Sequence, residues 1–444
     1  DGRYRFSDVP AGSYTLETRY IGAETVRTQV EIPETGTVTA NILVGLSDTA
    51  ILVIGQRANQ ASALSRQREA DGVSSVLTRD AIGQFPDQNV AESLRRLPGI
   101  NILNDQGEGR FVSVRGLDPN LNSSSINGTR IPAPEDDTRA VALDVISSDL
   151  IESIEVRKTL TPDMDADTIG ASIDIQTVAS FDSRSDFLSL RAEASWNELA
   201  DTITPKLGLD FSTALSDSFG ISGGISFYRR EFETDNVEAD PWVTGDLGNN
   251  YSEEIQYRDY DVERERISAS LSFDFRPSDS TTLFARGVFS QFDDQEFRRR
   301  LRLDVSDFDQ VSGGAGNVLT FSDADGELTV RRDIKDRFER QRIASLSLGG
   351  ETDTGPWSFD YQASWSRSSE REDGSVDPAD FRRDFEDDGL VLQIDNSNMF
   401  IPAYSVLGGS NLFFDPAAFE LNDIEFTALS DSVDEEWMAR GSAG

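Results

Sequence analysis

Cysteine and histidine are both absent from these 444 residues, and each absence removes a class of chemistry. Without cysteine there are no disulfides, thiol nucleophiles or thiolate metal sites. Without histidine there is no haem–histidine ligation, no usual zinc site, and no Ser-His-Asp or Cys-His catalysis. Carboxylates are so abundant that no catalytic pair stands out, so no enzyme and no cofactor is expected. Basic residues are scarce: 41 Lys and Arg stand against 80 Asp and Glu, for a net charge of −39. Such a chain repels phosphates, which excludes a nucleic-acid partner. No stretch of 18 apolar residues occurs, so no transmembrane helix is expected. No signal peptide opens the chain. The opening DGRYRFSDVPAGSYTL already reads as strand and turn within a domain, and the closing EEWMARGSAG as a strand cut short. Both ends are therefore expected to continue in a longer protein.

What is present is enough apolar residue, 37%, to build packed cores. Residues 1–45 read as short strands: Tyr4 and Phe6 alternate with polar neighbours, Pro10-Ala-Gly12 turns the chain, and Tyr14 and Leu16 resume the alternation. DTAILVIGQR, residues 48–57, is an apolar, β-branched run between flexible stretches. It is either one more core strand or a tethered strand offered to the edge of a partner's sheet. FPDQNVAESLRRLPGINI reads as a helix, with Asp87 as the expected N-cap and Val90, Ala91, Leu94 and Leu97 on one face. Asn127-Gly128 supplies the two positive-φ positions of a type I′ hairpin, and Val145–Ile151 reads as helical. In TPDMDADTIGASIDIQT, Asp163, Asp165, Asp167 and Asp174 fall at positions 1, 3, 5 and 12 of a calcium loop. Thr168 occupies the position where that loop needs glycine for its sharp turn, and the residues after it alternate like a strand, so no helix–loop–helix calcium site is expected. Together residues 57–178 read as an α+β domain.

Several motifs occur in order: FPDQNVAESLRRLPGINI, GEGRFVSVRGLDPN, SSSINGTRIP and DLIESIEVRKTLTPDMDADTIGASIDIQT. Together they resemble the plug domain of TonB-dependent outer-membrane receptors, and TPDMDAD with FPD…NVAESL is similar to the Caulobacter- and Xanthomonas-type carbohydrate-uptake subfamily. DGxYxF…VPAGxYxL over residues 1–45 resembles a truncated carboxypeptidase-regulatory-like β-sandwich. The resemblance implies a TonB box at residues 46–56, carried by Asp48, Thr49, Ile51, Leu52, Val53 and Ile54. It also implies TonB and its inner-membrane energising complex as partners, outer-membrane lipid around the barrel, and a periplasmic N-terminal domain.

Periodicity alone supports a barrel in residues 186–444. FLSLRAEASW puts Leu188, Leu190, Ala192, Ala194 and Trp196 on one face; RISASLSFDFR and WSFDYQASWS alternate in the same way. Seven such strands are visible and an eighth begins at Trp437, about a third of the 22 or so strands that a plugged barrel needs. Tight turns at Ser216–Ser218, Pro277–Ser280 and Asp353–Pro356 are separated by long polar stretches at 229–263, 293–341 and 368–434, read as outer loops. The expected fold is mainly β: a sandwich remnant, an α+β plug and the first third of a 22-stranded antiparallel transmembrane barrel.

The candidate sites follow from this arrangement. The loop Asp105–Gly109, with Glu108 and Arg110, and the hairpin tip at Asn127 are expected at the plug's apex, in contact with a substrate, most simply a neutral oligosaccharide. Trp242, Tyr251, Tyr257 and Phe400 can stack on sugar rings, serve as loop core or belong to the membrane-interface belt. The resemblance implies that Arg115 pairs with carboxylates of the barrel wall; the aspartates 163, 165 and 167 are expected to cap the last turn before the final plug strand and also to tie plug to barrel. Between Glu370 and Glu436 lie 18 acids and 3 arginines. The cluster Asp384, Glu386, Asp387 and Asp388 is there a weak metal candidate, its solvated-loop reading being the plainer one. Two rival functions remain on sequence: a siderophore or other iron-chelate receptor of the same fold, and a secreted, non-transporting binding or adhesion protein.

Overall fold

In a computed structural model the chain is described over residues 6, 9–18, 26–33, 38, 40, 63–64, 66–68, 70, 72–82, 87–162, 164, 168–181, 186–245, 248–308 and 310–444. The N-terminal part contributes an antiparallel pair, β1 (Gly12–Thr18) and β2 (Val26–Ile32). The expected TonB-box residues 48–54 and the aspartates 163, 165 and 167 lie outside the described residues.

An inner domain follows, built on β3 (Ser74–Thr78), β4 (Ile100–Asp105), β5 (Glu108–Val114), β6 (Ser123–Ile126), β7 (Thr129–Arg130), β8 (Ile151–Arg157) and β9 (Ser172–Thr177). Five of these form one sheet in the order β3-β8-β9-β6-β7, while β4 and β5 pair as a separate hairpin. The helix Val90–Leu94 packs its apolar face inward: Val90, Ala91 and Leu94 are fully buried. Its N-cap is Asn89 rather than the expected Asp87. Asn89 Oδ1 accepts from Glu92 N while Glu92 accepts from Gln88 N, a reciprocal capping arrangement. Asp87 is taken instead by Arg96 and by the Ser93 hydroxyl. The stretch read as helix at 145–151 is two short 3₁₀ turns, Leu143–Val145 and Ser148–Leu150, followed directly by β8. Asn127 and Gly128 both have positive φ, as the hairpin joining β6 to β7 requires.

The rest is an antiparallel wall of eight strands in sequence order: β10 (Phe187–Asn197), β11 (Thr202–Ser216), β12 (Phe219–Ala239), β15 (Glu254–Ser278), β16 (Thr281–Asp304), β19 (Leu328–Asp353), β20 (Ser358–Phe385) and β23 (Glu420–Ala443). Between them come β13 (Trp242–Thr244), β14 (Asn250–Ser252), β17 (Gly313–Ala315), β18 (Val318–Ser322), β21 (Val391–Asp395) and β22 (Ala403–Gly408). The wall is inside-out relative to a water-soluble sheet. On β15, Ser268 and Ser272 are 0% and 2% exposed against the inner domain, while Leu271 and Phe273 on the other face are 43% and 37% exposed.

The polar stretches expected as long loops are largely strand, so those loop boundaries are corrected to 240–253, 305–327 and 386–419. β20 runs for 28 residues, about 90 Å at 3.3 Å per residue, where about ten residues cross a bilayer. The outward face records the boundary. Apolar residues give way to charge between Phe227 and Arg229, Ile267 and Glu265, Ala344 and Arg342, Trp365 and Arg367, and Trp437 and Glu435. Several of these last apolar residues are cross-strand neighbours: Phe227 with Ile267, and Trp365 with Trp437. Above that line the outward charges pair across strands, as Arg229 with Glu263 at 3.0 Å and Arg299 with Asp259 at 2.9 Å.

Two loops from different strand pairs then join in one cap, and Tyr251 of the 240–253 loop packs into its core. β17 and β18 come from the 305–327 loop, β21 and β22 from the 386–419 loop, and β18 pairs with β21 to join them. Phe321, Phe385 and Phe413 are fully buried in its core, together with Ile255, Leu303 and Val330 of the wall. Alternation in β15, β16 and β19 puts those three wall residues on the same face as Leu271, Phe289 and Leu348. The cap therefore covers the outward face of the strand extension.

Candidate functional site

The functional geometry lies where the inner domain meets the inward face of the wall. The turn between β4 and β5 places Gln106 and Gly107 at positive φ and brings Glu108 against three wall arginines. Arg230 Nη1 donates to Glu108 at 2.8 Å, Arg266 Nη2 at 3.4 Å, and Arg264 lies 3.7 Å away. Arg264 and Arg266 are themselves fully buried. Arg264 also donates to Asp105 at 2.9 Å and to Asp294 at 3.2 Å. The two guanidiniums lie 5.7 and 4.9 Å from the Phe292 ring centroid. Burial alone would raise the Glu108 carboxyl, but the surrounding arginines outweigh it and hold its pKa at about 2. Glu108, Arg264, Arg266 and Asp294 are thus paired in the interior while Arg230 and Asp105 reach the rim, an arrangement costly to break from one side.

Next to it, Arg110 of β5 meets Glu135 and Asp144 of the inner domain and Glu339 of β19. Asp144 is fully buried, and burial pushes its carboxyl above the ordinary range despite Arg110 at 3.5 Å. A further node binds the inner domain to the first strands of the wall. Asp149 takes Arg191 at 2.8 Å and Lys206 at 3.3 Å, while Asp210 takes Arg191 at 2.8 Å and Arg79 at 2.7 Å. Arg79 and Asp149 belong to the inner domain, so positive and negative groups alternate across the boundary.

The residues expected at an apex separate to opposite ends of the wall. The Asp105–Gly109 turn is on the long-loop side, but Glu108 is enclosed by the arginines, not open to a ligand. Asn127 sits at the tight-turn end: its side chain bridges to Thr177, and its carbonyl accepts from Gln362 of β20 at 3.2 Å. Arg115 bends into positive φ and donates to the carbonyls of Lys158 and Gly170; among the described residues it meets no wall carboxylate. Asp174 accepts from the Ser125 hydroxyl at 2.6 Å and from Gly128 N at 3.2 Å. Tyr251 is buried in the cap core, its ring 5.3 Å from that of Phe321, while Trp242 is half-buried on β13. Tyr257 donates to the Pro402 carbonyl at 2.8 Å, and Phe400 is exposed nearby. Asp384 and Asp388 are each held by an arginine, Arg382 and Arg383, and Glu386 and Asp387 are exposed; among the described residues no group of three or more acids can hold a metal.

Sequence reasoning did not single out Arg264 and Arg266, although Glu263-Arg-Glu-Arg266 carries the signal. Alternation puts both glutamates on one face and both arginines on the other, and only the inward face has an inner domain to bind.

Residues 66–172 match the family model of the TonB-dependent Receptor Plug Domain. The ferric enterobactin receptor of Pseudomonas aeruginosa is 25% identical over 80 residues, covering 17% of this chain and 11% of that protein. Among solved structures, a mutant of that P. aeruginosa receptor in complex with enterobactin aligns at a TM-score of 0.41 and 11% identity, over 76% of this chain and 60% of its own. The unliganded ferric citrate transporter FecA aligns at 0.35 and 14% identity, over 75% and 63%. The chain thus spans about a tenth of the curated relative and less than two thirds of these structures.

Proposed function

We propose that this chain is the N-terminal portion of a TonB-dependent outer-membrane receptor that takes up an oligosaccharide by energised transport. The observation that carries the reading is the inside-out wall: buried serines and arginines grip a plug-type domain on one face, and a bilayer-high apolar band covers the other. In this reading substrate binds at the outer loops, TonB pairs with the 48–54 segment as an added strand, and pulling on that segment displaces part of the plug. Residues 1–45 form a periplasmic carboxypeptidase-regulatory-like module. No covalent chemistry is involved.

Proline at Leu52 or Val53 removes a ladder donor from that strand. Energised uptake by the full-length receptor is expected to vanish in both variants while surface binding persists; undiminished uptake would remove this segment from the coupling role. The name of the P. aeruginosa relative favours a second reading, a ferric chelate as substrate. Competition between ferric chelates and oligosaccharides for surface binding separates the two.

A further inference from the structure

At the tight-turn end of the wall a cavity of about 670 Å³ opens between the wall and strands β6 and β9. Its lining inverts the composition of the chain. Acids outnumber bases 80 to 41 overall, yet among the described residues the cavity presents five arginines, Arg130, Arg157, Arg276, Arg286 and Arg440, and three carboxylates, Asp174, Asp274 and Glu351. Two of the carboxylates are already engaged: Asp174 by Ser125 and Gly128, and Asp274 by the amide and hydroxyl of Ser180 at 2.8 and 2.6 Å. Two arginines are likewise paired, Arg130 with Glu436 and Arg157 with Glu155.

The other three guanidiniums are held less closely. Arg276 lies 3.9 Å from the Phe181 ring centroid and has no carboxylate partner among the described residues. Arg286 lies 4.3 Å from the Phe284 centroid; Asp274 is 3.8 Å away, and the Arg286 Nε is buried without a hydrogen-bond partner. Arg440 donates to the neutral amide of Gln362 at 2.7 Å. A guanidinium supported on a ring keeps its fork of N–H donors free for a planar oxyanion. The serine hydroxyls and side-chain amides between them suit a polyhydroxylated ligand.

We propose that this cavity binds an oxyanion-bearing segment of the cargo, which makes the preferred substrate an acidic oligosaccharide and not a neutral one. The substrate assignment rests on the uptake reading above; the site does not. A ferric polycarboxylate presents the same chemistry, so the test carries an arm for each. Ser123→Cys in the cavity lining, with any cysteine elsewhere in the full-length receptor replaced by serine, gives a single reporter thiol, since these 444 residues contribute none. Its alkylation rate would be measured in detergent with oligogalacturonate, ferric citrate or a neutral maltooligosaccharide present.

Oligogalacturonate is expected to slow alkylation about tenfold, the neutral sugar not at all, and Arg276→Gln with Arg286→Gln to abolish the protection. Arg276→Gln alone, at an exposed position, is expected to weaken it without disturbing the fold. Protection by ferric citrate alone supports the oxyanion site and assigns it to a chelate. Equal protection by the neutral sugar, protection by neither anion, or protection unchanged in the arginine variants would overturn the proposal. The labelling needs no energisation, so its failure is distinct from survival of uptake in the proline variants.

Discussion

The lower and upper halves of the same wall strands obey opposite rules. Below the line through Phe227, Ile267, Ala344 and Trp365, outward residues are mostly apolar and exposed and inward residues are mostly polar, from Ser268 and Ser272 to Arg286 and Gln362. Above it the backbone ladder continues unbroken from β12 to β16, but the outward face carries paired charges and, at Ile255, Leu303 and Val330, a folded cap covers it. Hydrogen bonding is the same in both halves; only the surroundings differ. In one half hydrocarbon tolerates bare Leu and Phe, and in the other water does not, so folded loops hide them.

The largest effects come from removing what each half buries. Glu108→Gln leaves Arg230, Arg264 and Arg266 facing one another without their shared anion, and should cost about 3–5 kcal/mol. Hydrogen exchange in residues 100–114 would report it. Acid should act on the same clasp. Glu108 has its folded pKa held at about 2, below the ordinary 4.5, so its contribution is full above pH 4.5 and is lost as pH falls toward 2. That difference amounts to about 3 kcal/mol. Phe321→Ala should cost about 3–5 kcal/mol as well, but in the cap alone: protease should enter loops 305–327 and 386–419 while the lower band stays protected.

Smaller changes sharpen the boundary itself. Leu271→Arg, on the outward face of the band, should cost about 2–4 kcal/mol in lipid, whereas Asp261→Arg, on the same face ten residues higher, should cost almost nothing. Equal penalties would erase the distinction between the halves. Arg299→Ala removes an exposed partner of Asp259 and Asp261 and should change stability by less than about 1 kcal/mol.

The same contrast explains what was legible in the sequence. Within the band the period-two pattern of Phe187–Trp196, Ile267–Phe275 and Phe359–Trp365 is strong because one neighbour is lipid and the other a polar domain. In the extension below the cap both faces meet water or charge. Runs such as Glu263-Arg-Glu-Arg266 then carry charge on both faces and no apolar alternation, and strand reads as loop. The Asn127-Gly128 hairpin and the Val90–Leu94 face were legible because local geometry and a single core decide them. The position of Asn127 at the tight-turn end was not, nor the Glu108 clasp: each depends on which wall strand lies opposite, over separations of 100 residues and more. The cap core was hidden for the same reason, since Phe321 and Phe413 come from different loops.

The most direct test is a scan of single-cysteine spin labels along β15 of the parent protein in lipid vesicles, with molecular oxygen and a water-soluble nickel chelate as competing relaxants. The account predicts oxygen-accessible labels at 269, 271 and 273, sheltered labels at 268 and 272, and nickel-accessible labels at 259, 261 and 263. Labels at 271 and 273 that respond to nickel as readily as those at 259 and 261 would contradict it.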